Sequence, residues 1–341
     1  MSTKDEILSQ PFVFKNIKED YKKLVQSLKK AFEENNYSVI GLVGCGSSYY
    51  LAMGLAFNIN RLSKGKIKAK AYTGSEIAFG LTKVRENSIL IGLSRSGVST
   101  ETLIALKKAK DDRNVTTACI TCSPGSRMVE ETDYSATIDF VEEKSIVMTQ
   151  SFTSMAFLGT ALFHELFCND HNEYTAEIVR STKIIVDNMQ NHFSDLCFED
   201  IDHFVFLGYH EYYAAAMEGL IKSSEMALTQ VDVFPTLEYR HGPKAKVHKN
   251  TLAIILPNYI IEFEEEKMAK EIELLDGKVF IVSPKIETKK WHISYPYCRK
   301  DFSDWFIRVI PLQWLGYKKA ISNGLNPDSP KNLDRVVQLE E

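Results

Sequence analysis

Short runs rich in β-branched residues alternate along the chain with longer segments in which apolar positions recur every three to four residues. VIGLVG (39–44), SILIGL (88–93), VTTACIT (115–121) and YSATIDF (134–140) form one series of runs. HFVFLG (203–208), TLAIILP (251–257) and KVFIVSP (278–284) form a second. Uninterrupted runs rich in β-branched residues predict strands buried on both faces, and the helical segments between them predict parallel sheets covered by helices. Between the series, the stretch from about Ser145 to Asn191 reads mainly as helix, broken by a polar turn near Cys168 to Asn172. That stretch is the predicted domain junction. The predicted fold class is α/β, with mostly parallel, doubly wound sheets flanked by helices.

The two series also resemble each other. VIGLVGCGSSYYLAMGLAFNI and HFVFLGYHEYYAAAMEGLIKS both run from a strand through a glycine and an aromatic pair into an alanine-rich helix. The interval from Gly44 to Ser94 equals that from Gly208 to Asn258, which predicts one doubly wound unit used twice. The copies differ where strands end. The first carries GCGSS and SRSGVST, the second GYHEYY and PNYIIE, so only the first keeps small, hydroxyl-rich loops.

Composition narrows the classes open to such a chain. Its 341 residues suffice for two domains, each with its own core. A formal net charge of −4 supplies no basic field, so neither nucleic acid nor an anionic membrane is expected as a partner. The charged N-terminus lacks the apolar stretch of a signal peptide, and no run approaches the roughly 20 apolar residues that span a bilayer. A cytoplasmic location is expected. The six cysteines form no disulfide framework. Cys119 and Cys122 make a CxxC inside a strand, and with no second CxxC or CxxH they read as buried structural thiols. No metal and no cofactor are expected.

Ligands of open α/β sheets bind beyond the carboxyl ends of the strands, where helix N-termini offer free N–H groups and the positive end of the helix dipole. GLSRSGVSTET, Gly92 to Thr102, places three serines and two threonines there. Gly44, Gly46 and Gly97 allow close backbone approach, and Ser47, Ser48, Ser94, Ser96 and Ser99 supply hydroxyl donors, a set suited to phosphate. Without the lysine of a GxxxxGK[ST] loop or the third glycine of GxGxxG, neither a nucleoside triphosphate nor a dinucleotide is favoured.

GCGSS, SRSGVST and SPGSRMVEETD together resemble the sugar isomerase (SIS) domain family. EGLIKSSEMALTQVDVFPTLEYRHGPKA and LGYKKAISNGLNPDSPKNL are similar to the SIS-type glucosamine-6-phosphate deaminases and to the isomerase half of glucosamine-fructose-6-phosphate aminotransferase. The resemblance implies two tandem SIS domains, at 25–175 and 176–325, after an N-terminal arm (1–24) and before a C-terminal tail (326–341). It places Ser47, Ser48, Ser94, Ser96 and Ser99 on phosphate-binding positions. Glu225 falls on the carboxylate that moves a proton between C1 and C2 of the open-chain sugar. Glu218 and Lys222 fall on accompanying positions of that helix. His241 of RHGP falls on the ring-opening histidine, which in the family enters from the neighbouring subunit, implying a homodimer with shared active sites.

Elementary chemistry is compatible with these roles. Glu218, Lys222 and Glu225 are spaced i, i+4, i+7 and share one helical face. Aldose–ketose interconversion needs one base that takes a proton from one carbon and returns it to the next, which a positioned carboxylate can do. Histidine suits protonation of a ring oxygen near neutral pH. The remaining seven histidines show no ligand spacing and read as structural.

Departures from the family shift the expectation. Ser2 stands where the aminotransferase has its cysteine nucleophile, so glutamine-dependent amino transfer is not expected. Arg335 occupies the position of a C-terminal family lysine; arginine keeps the charge but cannot shuttle protons at neutral pH, which leaves it electrostatic binding of the sugar. Arg95 replaces an uncharged amide and is expected to add a charged contact to phosphate. The expected activity is conversion of glucosamine 6-phosphate to fructose 6-phosphate and ammonia. A fructosamine-6-phosphate deglycase and a noncatalytic phosphosugar-binding regulator are the alternatives.

Overall fold

A computed structural model describes residues 2–111, 115–193, 196–285 and 291–335; residues 336–341 of the predicted tail lie outside the described residues. The chain opens with helices α1 (Thr3–Leu8) and α2 (Gln10–Glu34). It continues through β1 (Val39–Gly44), α3 (Ser47–Leu62), β2 (Lys68–Thr73), α4 (Gly74–Ala78), β3 (Ser88–Ser94), α5 (Thr100–Asp111), β4 (Val115–Thr121), α6 (Arg127–Glu131) and β5 (Tyr134–Thr137). Two long helices follow, α7 (Gln150–Phe167) and α8 (His171–His192), separated at the predicted turn. The second series comprises β6 (His203–Leu207), α9 (Glu211–Ala227), β7 (Gln230–Phe234), β8 (Thr251–Ile255), α10 (Glu262–Glu273), β9 (Lys278–Ser283), β10 (His292–Ser294) and α11 (Val309–Ser322).

These elements pack into two compact units. One comprises residues 12–144 and 150–176 with the chain from Asp334, and the other residues 1–11, 145–149 and 177–333. The first holds a sheet ordered β2-β1-β3-β4-β5 and the second a sheet ordered β7-β6-β8-β9-β10, with every described pairing parallel. In each series the first strand pairs with the second on one side and with the third on the other, so both sheets share one topology. Each has a switch point beside its first strand, between β1 and β3 or between β6 and β8, where parallel sheets open a crevice at their carboxyl edge.

Both faces of each sheet are covered. In the first unit Val43, Leu90, Leu103, Leu106 and Met128 form one core layer with α4, α5 and α6. Gly159 of α7 lets that helix approach Leu55 of α3 and Ile120 of β4 on the other face, because a Cβ there would stand 3.1 Å from Leu55. In the second unit Val205, Ile255, Met268, Ile272 and Ile281 pack β6, β8, β9 and α10 together. Full burial of each such aliphatic side chain contributes about 1.5–3 kcal/mol. Among the described residues, no helix is long and apolar enough to cross a membrane.

Candidate active site

The carboxyl edge of the first sheet carries two strand-to-helix loops. At the β1–α3 loop a Cβ on Gly44 would lie 2.6 Å from the Ser48 backbone, so only glycine lets the chain turn this tightly into the helix. Gly46, at φ 56° and ψ −126°, precedes Ser47 and Ser48, both buried at the N-terminus of α3. At the β3–α5 loop the Ser94 hydroxyl accepts the Gly97 N–H at 3.1 Å and lies 3.0 Å from the Ser99 hydroxyl. Ser96 Oγ accepts the Val98 N–H at 3.4 Å. Gly97 sits at φ +65°, and a Cβ there would meet Ser126 Oγ at 2.1 Å. Thus the five predicted serines line two neighbouring helix N-termini, where partial positive charge and small donors favour an anion.

Three further hydroxyls belong to this loop cluster and went unread in the sequence. Thr121 and Ser123 donate to the Arg95 carbonyl at 3.2 and 3.1 Å. The Ser126 hydroxyl is buried against Gly97 and makes no hydrogen bond. The SPGSR segment that carries two of them matches the resemblance, but only contact with Gly97 and Arg95 marks the individual side chains.

Arg95 points to a protein partner. Its guanidinium donates to Glu143 at 2.8 Å, and both side chains are buried. Glu143 also accepts the Ser151 N–H at 3.1 Å and the Ser151 hydroxyl at 2.5 Å. Arg335 reaches the same place, donating to the Glu143 carbonyl at 2.5 Å. Cys119 and Cys122 are buried nearby as thiols; burial pushes Cys119 up to about 11 and Cys122 higher still, which suppresses thiolate chemistry.

In the second unit, α9 presents the Glu–Lys–Glu face. Lys222 is fully buried, donates to Glu225 at 2.6 Å and stands 3.4 Å from Glu218, itself fully buried. Gly316 of α11 packs against this turn, where a Cβ would approach the Lys222 carbonyl to 3.1 Å. Glu225 keeps 20% of its side chain exposed and is the member of the trio open to solvent. An exposed lysine between two glutamates would be an ordinary surface ladder. Here the cation is buried, so its charge acts on the carboxylates through a medium that screens it weakly.

His241 lies exposed on the loop after β7, between a 3-10 turn (Thr236–Arg240) and Gly242 at φ +122°. That loop is pinned from below. Arg240 bonds Glu264 at 2.9 Å and Glu271 at 3.0 Å, and Lys244 bonds Glu271 at 2.9 Å. Thr236 donates to buried Glu265 at 3.0 Å, and Glu265 also accepts the Asn258 N–H at 2.7 Å. Burial pushes the Glu265 carboxyl up to about 7 despite these bonds. Nothing in the sequence distinguishes Glu265 from its acidic neighbours in EFEEEK.

The second sheet's carboxyl edge is built differently. Arg308 donates to Asp304, to the carbonyls of Pro257 (2.7 Å) and Val282 (3.2 Å), and to the Tyr212 hydroxyl at 2.7 Å. Tyr212 and Tyr295 both donate to Asp304, at 2.7 and 2.5 Å. This buried network ties together the ends of β8 and β9, the start of α9 and the segment before α11.

Parallel α/β sheets, one ending in paired serine-lined helix N-termini and the other carrying a buried carboxylate–lysine face, describe the sugar isomerase class. The SIS domain family model matches residues 36–165. Glucosamine-6-phosphate deaminase from Thermotoga maritima is 33% identical, with 99% of this chain and 100% of that chain covered and a TM-score of 0.84. The C-terminal domain of glucosamine-fructose-6-phosphate aminotransferase from Francisella tularensis is 25% identical, covering 96% and 98% of the two chains at a TM-score of 0.80. The glutamine–fructose-6-phosphate aminotransferase of Francisella tularensis subsp. tularensis is 27% identical over 335 residues. That match takes in 92% of this chain and 53% of the relative, so the chain spans about half the length of the curated relatives it matches. The chain belongs to the SIS domain family of phosphosugar isomerases.

Proposed function

We propose that the protein is a homodimeric glucosamine-6-phosphate deaminase, built from two tandem SIS domains, that converts glucosamine 6-phosphate and water to fructose 6-phosphate and ammonia. The observation that carries this reading is Glu225, partly exposed and 2.6 Å from a fully buried Lys222. The Thermotoga maritima protein to which this chain is similar is a glucosamine-6-phosphate deaminase.

In this reading the two loops of the first sheet hold the 6-phosphate through Ser47, Ser48, Ser94, Ser96 and Ser99. The Arg95–Glu143 pair braces the second loop instead of meeting phosphate directly, and Arg335 closes over the same end. His241, supplied by the partner subunit, protonates the ring oxygen and opens the sugar. Glu225 then removes the proton from C2 as O1 takes one up from solvent, giving the enolamine, and returns a proton to C1 as the nitrogen gives one up, giving the 2-imine of the ketose. Water adds to C2, and collapse of the carbinolamine expels ammonia and leaves the C2 carbonyl. Lys222 holds the Glu225 carboxylate in place through their 2.6 Å hydrogen bond, and Glu218 lies 3.4 Å from the same buried ammonium.

Ammonia release from a panel of 6-phosphorylated amino sugars and fructosamines tests the reading. Turnover of glucosamine 6-phosphate with equimolar fructose 6-phosphate is expected. Release of an intact amine from fructosamine 6-phosphates, with none from glucosamine 6-phosphate, would establish the deglycase instead. Binding without turnover of any member would leave a regulator.

A further inference from the structure

From the turn between α7 and α8 we infer a binding site for a zinc-class divalent cation, held by His164, Cys168 and Asp170. The candidate donor atoms of these residues lie within 4.8 Å of one another. His164 and Cys168 are i and i+4 at the end of α7, so both project from one face of its last turn. Asn169 adopts the left-handed conformation, φ 55°, and this reverses the chain at once. The reversal brings Asp170 back beneath the helix end, with Oδ1 2.8 Å from His164 Nδ1.

The donor chemistry selects the ion. Imidazole, thiolate and carboxylate together suit a borderline-soft, four-coordinate metal, and zinc accepts all three. Bond lengths of about 2.0–2.3 Å put tetrahedral ligand atoms about 3.3–3.7 Å apart, so the cluster needs to contract by only about 1 Å at its widest. The buried His164 ring is fixed in place by stacking on Tyr174 of α8, 3.9 Å between centroids and 10° between planes. Cys168 is exposed and Asp170 partly so, which leaves an entry path and a fourth position for water. Binding releases the thiol proton, takes His164 as the neutral imidazole ligating through the nitrogen that carries no proton, and fastens the end of α7 to the start of α8.

Cobalt(II) and zinc(II) alone are the probes, added to full-length protein dialysed against chelator. Wild type is expected to take up one equivalent of cobalt with thiolate-to-metal charge-transfer absorption and the strong visible bands of a four-coordinate site, and zinc is expected to displace it. Cys168→Ser alters an exposed side chain and abolishes the charge-transfer band. It also weakens zinc binding, measured against a chelating dye, by at least about 100-fold, more than loss of an outer-shell partner does. Asp170→Asn weakens zinc binding while retaining the band, and Cys197→Ser leaves both unchanged. A wild type without the band, or a band that persists in Cys168→Ser, overturns the site and leaves His164–Asp170 as a helix-end ion pair.

Discussion

The two sheets share a topology and even a backbone idiosyncrasy, yet their carboxyl edges do opposite things. Gly46 before α3 has φ 56° and ψ −126°; His210 before α9 has φ 51° and ψ −116°. Gly44 and Gly208 make the same tight approach to the helix they precede. At the first edge the crevice is lined by small hydroxyls and glycine backbone. At the second, Arg308, Asp304, Tyr212 and Tyr295 form a buried hydrogen-bonded network, beside a cavity of about 310 Å³ that Tyr212, Asp304 and Arg308 help to line. In the proposed function the first edge holds the phosphate, while the network at the second braces the start of the helix that carries Glu225.

The contrast can be broken most severely at Arg308. Arg308→Met leaves Asp304 buried without its cation, and loss of one partner of a buried pair costs about 3–5 kcal/mol. Denaturant unfolding should show that loss, and a change below 1 kcal/mol would mean that the network is not a support. At the other edge, Ser94→Ala removes the acceptor of the buried Gly97 N–H, costing about 1–3 kcal/mol of stability, and should weaken phosphosugar binding by about 1.5–3 kcal/mol, read by titration calorimetry. Asn258→Ala, at the matching interval of the second copy, should leave that affinity alone. Equal losses from both variants would erase the distinction between the edges.

A smaller effect is expected at His210. A non-glycine residue in this conformation carries about 1–3 kcal/mol of strain, from which the extra unfolded-chain freedom of glycine subtracts about 0.5–1. His210→Gly should therefore raise stability by about 1 kcal/mol in thermal or denaturant unfolding. Destabilisation would show that contacts of the imidazole outweigh the strain.

Most legible strands were those in which burial is complete; β5, a partly exposed edge strand read from YSATIDF, is the exception. β1, β3, β4, β6, β8 and β9 are wholly or almost wholly buried and stand out as apolar runs. The strands left unread, KAKAYT of β2, QVDVF of β7 and the three-residue HIS of β10, are all sheet edges. An edge strand meets solvent and tolerates lysine, glutamine and aspartate, so neither apolar continuity nor strong alternation marks it. The break between α7 and α8 was legible because Asn169, Asp170 and Asn172 concentrate turn chemistry there.

Site residues followed a similar rule. The serine loops and the Glu218–Lys222–Glu225 face announce themselves through local spacing. Arg95–Glu143, Thr236–Glu265 and Tyr212–Asp304–Arg308 join residues 48, 29 and up to 96 positions apart, and no local pattern encodes such pairs. Arg95 is the instructive case. Its place beside Ser94 and Ser96 suggested a ligand contact, whereas its guanidinium faces a buried carboxylate contributed from the segment before α7.

The central claim is that the first sheet binds the phosphosugar while Glu225, held by Lys222, moves the proton. It is tested most directly by the steady-state rate of ammonia release from glucosamine 6-phosphate by Glu225→Gln, with phosphosugar affinity determined on the same preparation. The amide keeps the size of the side chain but cannot accept the C2 proton, so kcat should fall by about 100-fold or more while affinity changes little. Wild-type turnover in a folded Glu225→Gln protein would contradict the account.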